Sequence, residues 1–66
     1  MKITSERNEA GTFVHVADGA ALQSFRLGPD GDMAQRIGTD GEWRGLPAVA
    51  LPPSILGAFI AEEARG

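Results

Sequence analysis

The chain predicts an α+β domain: an antiparallel β-meander of four to five short strands, with one C-terminal α-helix packed on one face. Three observations carry that expectation. Turn sequences built on Gly recur through the first two thirds, the pieces between them concentrate Thr, Val, Phe, Ile and Trp, and the last third switches to apolar residues at helical spacing after a Pro-Pro pair.

The turns are Asn8-Glu9-Ala10-Gly11, Asp18-Gly19, Gly28-Pro29-Asp30-Gly31 and Asp40-Gly41, and they leave strands over residues 2–7, 12–17, 21–27, 33–37 and 42–45. Three Asp-Gly steps invite a metal-binding reading. A calcium loop, however, needs several oxygen ligands at alternate positions and a late bidentate carboxylate, and here strand-like sequence follows each step within two residues. Asp30 and Asp32 come closest to a ligand pair, yet no third carboxylate follows in the loop, so turns are expected and no metal or other cofactor.

Beyond the strands, residues 46–53 read as an extended linker that Pro52-Pro53 terminates, and residues 54–64 as a helix with Ser54 near its start as a cap. Ile55, Leu56, Phe59 and Ile60 form its expected buried face. Residues 1–66 thus form one small domain, with its strands within 2–45. A domain of this length buries only roughly 60% of the surface its unfolded chain exposes, so it has little core to spare for a deep pocket.

Alternation along the strands assigns two faces. Ile3, Val14, Val16, Phe25, Leu27, Ile37 and Trp43 are expected under the helix, and Phe13, His15, Leu22, Ser24, Arg26, Arg36 and Arg44 on the uncovered side. That uncovered side would carry three arginines on three consecutive strands beside an aromatic ring and the sole histidine. On the helix, Ser54, Gly57, Ala58 and Ala61 are expected to face outward, where a solvated helix ordinarily carries Lys, Glu or Gln.

Several function classes are excluded or weakened. With no cysteine there is no thiolate nucleophile and no disulfide, a single histidine offers no recognisable grouping with Asp and Ser, and the scattered glycines form no phosphate loop; the chain is expected not to be an enzyme. Nine acidic residues against six basic ones give a formal charge of −3, which argues against a general nucleic-acid binder. The charged start, from Met1 to Arg7, lacks the apolar core of a secretory signal, so a cytoplasmic location is expected. Residues 45–61 lack charge, but Pro47, Pro52 and Pro53 interrupt them, so no membrane span is expected.

The sequence therefore predicts a non-catalytic, small acidic protein-binding module. By analogy with small bacterial and phage proteins, it would be an accessory or inhibitor protein acting on a larger protein or ribonucleoprotein complex. Two alternatives stand beside it. One is a sheet that binds single-stranded nucleic acid through Phe13, His15, Arg26, Arg36 and Arg44. The other is a self-associating homodimer that uses the sheet edge or the helix face at Gly57 and Ala61.

Overall fold

In the computed structural model, which describes residues 1–65 except the side chain of Ala48, five strands form one antiparallel sheet in chain order. They are β1 (Lys2–Asn8), β2 (Gly11–Asp18), β3 (Ala21–Leu27), β4 (Met33–Ile37) and β5 (Arg44–Gly45). A 3-10 turn (Ala48–Ala50) follows, and then the helix α1 (Pro53–Arg65), giving the α+β meander that the sequence predicts.

Two tight hairpins set the register. Asn8 pairs with Gly11 across Glu9-Ala10, and Asp18 pairs with Ala21 across Gly19-Ala20. Gly19 has φ 62° at the first turn position and Ala20 a negative φ, the combination that the right-handed twist of the flanking strands favours. Gly11 is constrained twice: its φ is 131°, and a Cβ there would collide with the Leu27 carbonyl oxygen.

The core lies between the sheet and the helix. Val14 and Val16 of β2, Phe25 of β3, Leu51, and Ile55 and Phe59 of α1 are buried, with Ile3, Leu27, Met33, Leu46 and Ala58 packed around them. The helix lies over β1 and β2. Burying Phe59 alone stabilises by up to about 3 kcal/mol, a large share for a domain this small.

Four expectations need correction. Residues 46–53 are not extended throughout: Pro47 opens a 3-10 turn closed by the Ala50 N–H on the Pro47 carbonyl at 2.9 Å, and this turn folds Leu51 back into the core. Ser54 does not cap the helix; the Pro52 carbonyl accepts from the amides of Ile55 and Leu56, each at 3.0 Å, and Pro53 takes the first helical position, which needs no N–H. The helix is also rotated from its expected phase. Ile55, Phe59 and Glu62 are buried and Ala58 half-buried, whereas Leu56 and Ile60 are 43% and 60% exposed. The reason is a polar contact that no apolar pattern reveals: the Ser5 hydroxyl of β1 donates to Glu62 Oε1 at 2.6 Å, and Arg65 approaches the other oxygen at 3.5 Å.

The fourth correction concerns β5. Arg44 pairs with Gln35, which pairs with Phe25, so Arg44 belongs to the helix side of the sheet. Trp43, one residue earlier, therefore lies on the uncovered side, reversing the expected placement of both. Ile37 does follow the core register but lies beyond the reach of the helix and is 63% exposed.

Candidate functional site

The uncovered sheet face is built by register. Phe13 faces Arg26 across β2 and β3, His15 faces Ser24, Ser24 faces Arg36 across β3 and β4, and Arg26 faces Ala34. Arg26 and Arg36 are therefore diagonal neighbours, close enough for long side chains to share a third group. That group is Trp43. Ala34 and Gly45 pair across β4 and β5 and offer no bulk on this face, which leaves room for the indole to turn inward over the arginines.

The Trp43 ring centroid lies 5.3 Å from Arg26 Cζ and 4.8 Å from Arg36 Cζ, so both guanidinium groups stack on the indole. Phe13 meets Trp43 edge to face at 6.1 Å and lies nearly parallel to the His15 ring at 6.2 Å. His15 in turn is anchored: its Nδ1 is 2.8 Å from Ser24 Oγ and its Nε2 is 3.4 Å from Glu6 Oε1.

Electrostatically the face is unlike the rest of the chain. Arg7 pairs with Glu63 at 2.9 Å and Arg65 with Glu62, but among the described residues neither Arg26 nor Arg36 has a carboxylate partner. Their Nε atoms are buried and form no hydrogen bond. Stacking on Trp43 covers the flat faces of the guanidinium groups and holds them in place, while a guanidinium recognises a carboxylate or phosphate through in-plane N–H donors.

Glu6, His15 and Ser24 follow the order carboxylate, imidazole, hydroxyl, which is that of a hydrolytic relay. Access decides against the likeness. Ser24 is 1% exposed and lies mid-strand, paired on both sides, so neither a substrate carbonyl nor an oxyanion has a place beside its Oγ. The trio ties three strands together. Among the described residues no three His, Asp or Glu side chains gather as a metal ion would require, and the Asp30 carboxylate accepts from the Asp32 amide at 3.4 Å, closing the turn.

Of the sequence-predicted site residues, Phe13, His15, Arg26 and Arg36 converge on this face. Arg44 does not: it is exposed on the opposite side, beside Gln35. Gly57 and Ala61 are exposed on the outer surface of α1 and belong to no common site with the arginines. Trp43 is the central residue that sequence reasoning misplaced. Its strand pairing begins only at Arg44, so alternation counted from Glu42 gives it the wrong side. No protein-family model, curated protein or solved structure matches the chain. Among the described residues no helix is long and apolar enough to cross a membrane.

Proposed function

We propose that this protein is a non-catalytic binding module whose uncovered sheet face, centred on Arg26, Arg36 and Trp43, docks on an acidic surface of a larger protein. The observation that carries the reading is the pair of guanidinium groups held against Trp43 without carboxylate partners, in a chain with nine acids available to supply them. A positioned, unpaired Arg beside aromatic rings is the kind of residue that dominates protein interfaces.

Two further observations favour a protein over single-stranded nucleic acid. Nucleic-acid sheets offer free aromatic faces to the bases, whereas here Trp43 is taken up by two guanidinium groups and Phe13 packs against His15 and Trp43. The exposed acids at the sheet rims, among them Asp18, Asp30, Asp40 and Glu42, repel a phosphate backbone while leaving a small cationic centre for a carboxylate cluster. A small face of this kind suits an accessory or inhibitory subunit of a larger complex.

Trp43 is the only tryptophan and reports directly on the face. Titration with a Glu-rich peptide is expected to shift its fluorescence at low salt, and Arg26→Ala/Arg36→Ala is expected to abolish the response. A mixed-sequence single-stranded oligonucleotide is the control. If the oligonucleotide shifts Trp43 and the peptide does not, the nucleic-acid reading replaces this one.

A further inference from the structure

We propose that the free edge of β1 is the interface of a two-fold homodimer, in which two copies join their sheets through antiparallel β1–β1 pairing centred on Thr4. The sheet has two unequal edges. β5 contributes two residues, whereas β1 contributes seven, and on its outer side no strand pairs with it. An unpaired strand of that length is a template for another strand.

The hairpins determine which backbone groups are free. Antiparallel pairing alternates hydrogen-bonded and open pairs, and the two-residue turn at Glu9-Ala10 makes Asn8–Gly11 a hydrogen-bonded pair, so Lys2, Thr4, Glu6 and Asn8 direct their N–H and C=O toward β2. Ile3, Ser5 and Arg7 therefore direct theirs outward. A two-fold axis at Thr4 sets Ile3 against the partner's Ser5, and both residues have outward groups to exchange. It also sets Lys2 against the partner's Glu6, twice, in open pairs where side chains lie closest. Moving the axis to Ser5 keeps the hydrogen bonds but places Lys2 opposite Asn8 and Glu6 opposite Thr4, with no opposite charges matched. The charges on β1 thus select one register.

The Glu62 carboxylate accepts from Ser5 of β1, so the side of α1 that carries Ala58, Glu62 and Arg65 lies toward the β1 edge. Leu56, Ile60 and Glu63 lie on the other side, where Glu63 sits beside Thr12, Leu27 and Gly28. A two-fold axis perpendicular to the joined sheet keeps both helices on the same side of it, so the backbone hydrogen bonds and the Lys2–Glu6 pairs carry the interface.

Light scattering coupled to size exclusion at about 100 μM, which saturates a micromolar dimer, tests the proposal. The wild type is expected at twice the chain mass. Lys2→Glu and Glu6→Lys, each of which sets like charges opposite at both ends of the interface, are expected to raise the dimer Kd about tenfold or more. The double variant, with the charges exchanged, is expected to return to the wild-type value. Ile60→Glu, at an exposed position on the side of α1 turned away from the β1 edge, is expected to leave the dimer intact. A monomeric wild type, single reversals without effect, a double variant that stays dissociated, or dissociation by Ile60→Glu alone would each overturn the β1 interface.

Discussion

Glu62 is the residue whose environment most constrains the helix. It is 6% exposed, and its carboxylate depends on the Ser5 hydroxyl at 2.6 Å and on the more distant Arg65. Removing one partner of a buried acceptor costs more than the bond itself contributes, because the remaining group loses water without compensation. Ser5→Ala is therefore expected to lower unfolding stability by about 1–3 kcal/mol, measured from urea midpoints. Glu62→Gln retains an oxygen acceptor for Ser5 and loses only the attraction to a mostly exposed Arg65, so its cost should be smaller. If Glu62→Gln costs as much as Ser5→Ala, charge rather than the hydrogen bond holds this contact. The pair also explains a misreading at residue scale: a carboxylate reads as a solvated position, and its partner lies 57 positions away, so nothing local to the helix marks Glu62 as buried.

At the scale of elements, the two most informative glycines should respond in opposite directions. Gly11 joins β1 to β2 with a positive φ and no room for a Cβ beside Leu27, so Gly11→Ala is expected to destabilise by about 2 kcal/mol or more. Gly57 lies within α1 with nothing near its would-be Cβ, so Gly57→Ala is expected to stabilise by about 0.5–1 kcal/mol. Thermal unfolding of both variants checks the signs; a destabilised Gly57→Ala would show that another surface needs close approach there. The same contrast shows what sequence conveys about this fold. Turns punctuate the strands because Gly and Asp act locally, and β2 and β3 alternate cleanly enough to place Val14, Val16 and Phe25 under the helix and Phe13, His15, Arg26 and Arg36 opposite. Alternation fails at β5, where two paired residues are too few to carry a phase through the loop from Gly38, which exchanged Trp43 with Arg44. It fails again on α1, where Ile55 with Phe59 and Leu56 with Ile60 are adjacent apolar ridges of equal hydrophobic claim, and contacts with β1 and β2 choose between them.

At the scale of the whole molecule, the two proposed surfaces reinforce each other. Pairing β1 with β1 about an axis normal to the sheet places both uncovered faces on the same side, so a dimer presents two Arg26–Arg36–Trp43 clusters to one partner surface and gains from effective concentration what each small face lacks. Pairing also adds a ladder of backbone hydrogen bonds to a 66-residue domain that has little apolar area to bury. A protein stabilised by association unfolds at a temperature that depends on its own concentration, because mass action favours the folded dimer. A tenfold increase in concentration contributes about 1.4 kcal/mol per dimer, or about 0.7 kcal/mol per chain. For a domain of this size that corresponds to a rise in Tm of about 3–5 °C. Lys2→Glu should shift the dependence to about tenfold higher concentration while leaving the Tm of the dilute protein nearly unchanged, since Lys2 is exposed and outside the core. A wild-type Tm that stays constant across two decades of concentration would mean that the β1 edge is solvated in the free protein, and that each uncovered face must hold its partner alone.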